Sequence, residues 1–137
     1  MLDGLTAVRA LVVGDLMLDR YVLGSVDRIS PEAPVPVVRV SDEHTALGGA
    51  GNVAANVRAL GGQCAVVGVV GDDAEGRLLT DRLATLGVDT VGIAVEPERR
   101  TTSKTRVMAG PQQIVRVDRE DVADVSDELA RRIADSL

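Results

Sequence analysis

The sequence has almost no aromatic side chains, and it has one cysteine and one histidine. Tyr21 is the only Phe, Trp or Tyr among the 137 residues, so the core must be built from aliphatic side chains. The single Cys64 excludes an intrachain disulfide, and with His44 alone beside it a Cys/His zinc cluster cannot form. We therefore expect an aliphatic core, an inert buried thiol at Cys64 and a cytoplasmic location.

Positive charge and long apolar runs are also scarce. The chain carries 21 acidic and 15 basic residues, a formal charge of −6, which argues against nucleic acid or an anionic membrane surface as a partner. No apolar run reaches membrane-spanning length, and the first residues lack the layout of a signal peptide. The only lysine, Lys104, does not follow a glycine loop, which excludes a Walker-type phosphate site.

Apolar runs alternate with helical patterns between residues 10 and 95. The runs at residues 10–13, 64–70 and 88–95 predict parallel strands, the first of them central and buried on both faces. Apolar residues at helical spacing after Gly48 and again between Leu78 and Leu86 predict two helices. This order predicts an α/β fold, a Rossmann-like parallel sheet with helices on both faces.

Other segments have the pattern of extended chain outside that sheet. Three prolines between residues 30 and 36 exclude a helix, and residues 35–40 predict an edge strand. Residues 104–109 and 114–117 predict a hairpin around Gly110. Ser126 is predicted to cap a last helix that carries Leu129, Ile133 and Leu137 on one face.

Two acids are the first candidate site residues. Asp15 follows the first strand, at the end where open α/β sheets bind their ligands, and Asp19 follows it in the next segment. Carboxylates there can accept the hydrogen bonds of a polyol's hydroxyl groups. The alternative is that Asp15 caps a turn and Asp19 is a solvated acid.

Glycines open the helix that follows. Gly48, Gly49 and Asn52 place small residues and an amide at a helix N-terminus, where backbone N–H groups can meet a ligand's oxygens. Tight packing of the helix on the sheet is the alternative. Residues 49–54 also match the dinucleotide pattern G-x-G-x-x-A, but the polar residues 41–45, read as a loop containing a surface His44, separate them from any strand.

Cations accompany the extended segments. Each one alone is best explained as part of a solvated strand face, whereas together they favour an anionic substrate. They are Arg28, Arg99, Arg100, Lys104, Arg106 and Arg116.

The glycine–aspartate after the first strand, the glycine-rich helix start with its Asn and the strands outside the sheet together resemble the ribokinase-like carbohydrate kinases. Within that family, three stretches are similar to the heptose 7-phosphate kinases: Asp15-Leu16-Met17-Leu18-Asp19-Arg20-Tyr21, Arg28-Ile29-Ser30-Pro31-Glu32-Ala33-Pro34-Val35-Pro36-Val37, and Gln112-Gln113 with Arg116-Val117-Asp118.

The resemblance implies that residues 1–137 are the N-terminal half of a kinase domain, with segments 16–40 and 101–117 as a small β lid. Asp15, Asp19, Gly48, Gly49 and Asn52 would hold the sugar. The candidates for its phosphate would be Lys104, Arg106 and Arg116.

The resemblance also implies what lies elsewhere. The catalytic base and the residues for ATP and Mg²⁺ would lie beyond Leu137, so none is expected in this chain, which would bind a sugar phosphate without turning it over. A homodimer through the lid is expected. The alternatives are another sugar kinase of the family, acting on a ketohexose phosphate or ketodeoxygluconate, a non-catalytic sugar-phosphate-binding or dimerisation module, and last a Rossmann oxidoreductase.

Overall fold

The computed structural model describes residues 7–135, which form two sheets and three helices. The strands are β1 (Arg9–Val13), β2 (Leu16–Ile29), β3 (Pro36–Gly48), β4 (Gln63–Gly71), β5 (Asp89–Glu96), β6 (Thr102–Ala109) and β7 (Gln112–Arg119). The helices are α1 (Gly49–Ala59), α2 (Ala74–Thr85) and α3 (Asp127–Asp135).

The first sheet is parallel, with the order β1-β4-β5. Alternate residues of β4 point to opposite faces, and Cys64, Val66 and Val70 are buried against the two helices α1 and α2. On the other face, Val67 and Val69 line a cavity with Ile133 of α3. Helices therefore cover both faces, which confirms the predicted fold class.

The position of β1 differs from the prediction. The strand was expected to be central and buried on both faces, but within residues 7–135 it lies at the edge of the sheet. Leu11 and Val13 are consequently 47% and 53% exposed. The apolar sequence of β1 is suited to a buried position. The exposure of its side chains within residues 7–135 depends on which strands lie beside it.

The second sheet contains four strands in the order β3-β2-β6-β7. It includes both segments predicted as a lid, but its strands continue to Gly48 and Arg119. The interpretation of residues 41–45 as a loop was wrong, because β3 runs without interruption into α1 and includes His44. The dinucleotide pattern thus does follow a strand, but one that pairs antiparallel with β2 outside the parallel sheet.

A buried junction connects the two sheets where the chain enters β6. The amide of Gly71 donates to the hydroxyl of Thr101 at 2.8 Å, and the amide of Thr101 donates to Asp73 Oδ2 at 2.8 Å. The other carboxylate oxygen, Asp73 Oδ1, accepts from the amide of Gly76 at 2.7 Å and caps α2. One carboxylate therefore fixes both the start of a helix and the entry to the second sheet.

The same contacts set the ionisation of Asp73. Partial burial acts to raise the pKa of this carboxyl, but the hydrogen bonds from Thr101 and Gly76 outweigh it and hold the pKa below its usual value. The folded state therefore stabilises the ionised carboxylate of Asp73.

Two smaller interpretations are confirmed. Cys64 is buried, and burial raises the pKa of its thiol; Ser126 Oγ accepts from the amide of Leu129 at 3.3 Å at the start of α3. Leu137 lies outside the described residues. None of the helices in the described part of the chain has the length and apolarity to cross a bilayer.

We predict that Asp73→Asn lowers the free energy of unfolding at pH 7 by about 1–2 kcal/mol, because the amide nitrogen cannot accept one of the two backbone hydrogen bonds. The folded-state pKa lies below the unfolded value of about 3.9, so the carboxylate's contribution is present above that value and is lost as the pH falls through the folded pKa. Urea unfolding between pH 7 and pH 3 measures both effects.

Asp72→Asn is the matched control for this measurement. Asp72 pairs with Arg77 at 2.8 Å, but both side chains are exposed, so its removal should change stability by less than about 0.5 kcal/mol. Equal losses in the two variants, or a loss at Asp73 that does not shrink in acid, would contradict the account.

Candidate functional site

The N-terminus of α1 lies against the end of β1 and the start of β2. The amide of Ala50 donates to the carbonyl of Asp15 at 2.9 Å, and Gly49 adopts a left-handed φ of 52°. A Cβ atom at Gly49 would overlap the carbonyl oxygen of Asp15, so this approach requires glycine. The helix has no side-chain cap and no acid in its first turn, so its positive end is available to a ligand's oxygens.

Asp19 is brought to the same place from β2. Its Oδ2 atom would lie 2.9 Å from a Cβ atom built on Gly48, which shows how closely this carboxylate oxygen approaches the N-cap of α1. Its Oδ1 atom accepts a hydrogen bond from Arg106 Nη1 at 2.5 Å. One oxygen of Asp19 is therefore engaged by a cation, and the other faces the helix start.

Asp15 and Asn52 border this position from the parallel sheet and from α1. Asp15 is exposed and lines a cavity of about 190 Å³ whose wall includes Gly68, Arg99 and Thr102. Asn52 is exposed in the first turn of α1, and its carbonyl accepts from Asn56 Nδ2 at 2.9 Å. The structure thus places Asp19, Gly48, Gly49, Asn52 and the backbone carbonyl of Asp15 around the N-terminal end of one helix.

Register places the candidate cations on the same side of the second sheet as Asp19. Asp19 pairs with Lys104, Tyr21 pairs with Arg106, and Arg106 pairs with Arg116. Paired residues of neighbouring strands project from the same face. We call this side the polar face, defined by Asp19, Tyr21, Lys104, Arg106 and Arg116.

Every cation of the polar face has an acidic partner. Lys104 Nζ lies 3.6 Å from Asp118 Oδ2 and 3.7 Å from Glu120 Oε2, and Arg116 Nε donates to Asp118 Oδ1 at 2.9 Å. With Asp19 beside Arg106, three cations face three carboxylates. A phosphate bound here must therefore displace or share these partners.

The remaining candidate cations lie outside the polar face. Arg99 pairs with Glu96 at 3.5 Å and donates to the carbonyls of Asp121 and Ala123, which ties it to the segment before α3. Arg28 pairs with Val37 near the far end of β2, and Arg100 is an exposed residue ahead of β6. These three arginines are not part of the polar face.

Tyr21 and His44 were not predicted as site residues. Their rings stack with centroids 5.0 Å apart and an interplanar angle of 16°, and the guanidinium of Arg106 lies 5.4 Å from the Tyr21 ring centroid. Asp19's hydrogen bond raises the pKa of Arg106 above its usual value, against the effect of burial. Only the register of β2 with β3 and β6 shows that these side chains meet.

Comparison with protein families gives one match along almost the whole chain. Residues 8–136 match the model described as the pfkB family carbohydrate kinase. The bifunctional protein HldE of Geobacter sulfurreducens is 51% identical over 131 residues, which are 96% of this chain and 27% of that protein. The bifunctional protein HldE of a Caulobacter species is 58% identical over 111 residues, 81% of this chain and 23% of that protein. The chain thus spans about a quarter of the length of these relatives.

Solved structures show the same fold. A crystal structure of a putative ribokinase from Agrobacterium tumefaciens matches with a TM-score of 0.68 and 27% identity, over 82% of this chain and 36% of that one. A putative sugar kinase from Clostridium perfringens matches with a TM-score of 0.73 over 94% of this chain and 40% of that one. At 12% identity the second match shows the fold alone.

We predict that Tyr21→Leu lowers the free energy of unfolding by about 1 kcal/mol beyond the loss in Tyr21→Phe, because leucine lacks the ring that contacts both His44 and Arg106. Urea unfolding of the two variants at neutral pH measures the difference. Phenylalanine keeps the ring and serves as the control. Equal stability of the two variants would show that the ring contacts contribute nothing.

Proposed function

The chain belongs to the pfkB family of carbohydrate kinases, and we propose that it forms the sugar-binding half of a heptose 7-phosphate kinase. The complete enzyme would transfer the γ-phosphate of ATP to the anomeric oxygen of D-glycero-D-manno-heptose 7-phosphate, in the synthesis of ADP-heptose. The observation that carries the proposal is the meeting of the Asp19 carboxylate with the uncapped N-terminus of α1 at the end of β1. The resemblance of residues 15–21 and 28–37 to heptose 7-phosphate kinases supports the choice of sugar.

The arrangement suits a polyol. The Oδ2 atom of Asp19 faces Gly48 and can accept a hydrogen bond from a sugar hydroxyl, while Arg106 holds Oδ1 and orients the carboxylate. Asp15 supplies a second exposed acceptor. Gly48 and Gly49 let Asp19 and the carbonyl of Asp15 approach the helix start. The amide of Asn52 can both donate to a sugar hydroxyl and accept from one.

The sugar's phosphate would lie along the polar face. Lys104, Arg106 and Arg116 can clamp it, provided that the phosphate takes the place of Asp118 as the partner of Lys104 and Arg116. A dianion with three acceptor oxygens can replace a single carboxylate between two cations. We infer that Asp118 holds the two cations in position until the phosphate binds.

Phosphoryl transfer is assigned to other residues. After Gly92 the only glycine is Gly110, so this part of the sequence offers no glycine-rich loop to stabilise a transferring phosphate. Residues 7–135 contain no group of three or more acidic, His or Cys side chains arranged to hold a metal ion. We propose that ATP, Mg²⁺ and the catalytic base bind to or belong to sequence beyond Leu137, and that this chain alone has no kinase activity.

Two alternatives remain distinct from this function. One is a kinase of the same family for a ketohexose phosphate or ketodeoxygluconate. The other is a non-catalytic sugar-phosphate-binding module that dimerises through the second sheet. The side opposite the polar face favours dimerisation, because it exposes Val115 and Val117 to 47% and 45%.

We predict that this chain binds heptose 7-phosphate in isothermal calorimetry and binds fructose 6-phosphate more weakly. Asp19→Asn should weaken heptose 7-phosphate binding at least tenfold, because a hydrogen bond to a charged acceptor contributes about 1.5–3 kcal/mol.

Asp81→Asn is the control, since Asp81 is exposed on α2, outside the second sheet and away from the helix start. Binding of NAD without any sugar phosphate would refute the kinase assignment. A preference for fructose 6-phosphate would support another sugar kinase of the family instead.

A further inference from the structure

We propose that Glu75 and Arg82 of α2 are positioning residues for the candidate site: they hold the second sheet at the orientation in which Asp19 faces the N-terminus of α1. The identity of the sugar that this orientation serves rests on the proposed function. The orientation of the sheet can be measured without any ligand, so the two are tested separately.

Two polar contacts connect α2 to the second sheet. Arg82 Nη1 donates to the carbonyl of Thr45 at 2.6 Å, and Arg20 Nη2 lies 3.5 Å from Glu75 Oε1. One arginine therefore reaches from the helix to the sheet, and the other reaches from the sheet to the helix. All four residues are partly buried, so solvent screens these contacts less than it screens a fully exposed pair.

Both contacts act on one residue pair of the sheet. Arg20 of β2 pairs with Thr45 of β3, and the next pair along is Asp19 with Ala46. Holding the first pair therefore holds the backbone that carries the carboxylate of Asp19. Thr45 also lies three residues ahead of Gly48, the N-cap of α1. The contacts are thus next to the candidate site, although none of their atoms belongs to it.

The two sides of β2 differ in what they contact. Asp19 lies on the polar face, so Leu18 and Arg20 project from the opposite side. Leu18 is 1% exposed and belongs to the same core cluster as Leu79 and Leu83 of α2. One side of β2 therefore faces the proposed ligand, and the other is attached to α2.

Helix α2 is itself fixed at both ends. Asp73 caps its N-terminus, and Arg58 Nε of α1 donates to the carbonyl of Leu86 at its C-terminus, at 3.0 Å. Glu75 lies in the first turn of α2 and Arg82 in the last, a spacing of about two turns that places both on one side of the helix. The helix thus offers the second sheet two attachment points on a fixed support.

The other attachments of the second sheet leave β2 and β3 freer to tilt. They are the apolar packing around Leu16 and Leu18 and the hydrogen bonds of Thr101 at the entry to β6. Apolar packing is non-directional, and the Thr101 junction acts on β6 rather than on β2 and β3. A site that is correctly formed in only a fraction of the molecules binds its ligand more weakly by that fraction.

Residual dipolar couplings of the ¹⁵N-labelled chain, without ligand, measure the orientation of the sheet. We expect one alignment tensor to fit both sheets in the unchanged chain and in Arg82→Lys, because lysine can still donate to the carbonyl of Thr45. In Arg82→Ala, β2 and β3 should need a separate tensor or show reduced couplings. Arg77→Ala is the matched control on the same helix, since Arg77 is exposed and pairs with the exposed Asp72.

Calorimetry with heptose 7-phosphate measures the consequence for binding. Arg82→Ala should weaken binding roughly fivefold or more, because it removes a hydrogen bond from a charged donor, whereas Arg82→Lys should weaken it less than about twofold. Glu75→Gln removes the charge that faces Arg20 with little change of shape. It should weaken binding in the same direction, and it keeps the proposal testable if Arg82→Ala does not fold.

A folded Arg82→Ala variant whose two sheets share one tensor and whose affinity is unchanged would overturn the proposal. So would an equal loss of affinity in Arg77→Ala, or a loss in Arg82→Ala that Arg82→Lys does not restore. If the unchanged chain binds no sugar phosphate while Arg82→Ala still releases the sheet, the proposed function fails and the attachment of the sheet by α2 stands.

Discussion

The contact between the N-terminus of α1 and the end of β1 determines most of this structure. Gly49 must be a glycine in a left-handed conformation for the amide of Ala50 to reach the carbonyl of Asp15. This contact joins the first strand of the parallel sheet to the helix that leaves the second sheet. The helix has no side-chain cap, so its backbone donors and the Asp19 carboxylate share one position. The constraint that packs the fold is thus also the one that forms the candidate site.

Ion pairs within the candidate site determine how it can bind a charged ligand. The cations of the polar face are held by Asp19, Asp118 and Glu120 rather than left free, which keeps long side chains ordered without a ligand. Ligand binding then exchanges one set of ion pairs for another, so affinity depends on the difference between them. The junction at Asp73 and Thr101 affects this exchange indirectly. It fixes where β6 begins, and so where Lys104 and Arg106 lie.

Much of the fold could be predicted from local patterns. The strands β1, β4 and β5, the glycine-opened α1 and the hairpin of β6 and β7 all follow from periodicity and turn residues. The continuation of β3 through residues 41–45 could not, because a strand with solvent on both sides carries no apolar alternation. The row of His44, Tyr21 and Arg106 depends on pairing between strands far apart in sequence. The edge position of β1 depends on which strands the chain contains.

The most direct test of the central claim is a titration of the ¹⁵N-labelled chain with heptose 7-phosphate, followed by amide chemical shifts. The account predicts saturable shifts at Gly48, Gly49 and Asn52, together with Asp19 and the polar face around Lys104. Shifts confined to the opposite end of the parallel sheet, around Arg58 and Gln63, or no saturable shift at all, would contradict it.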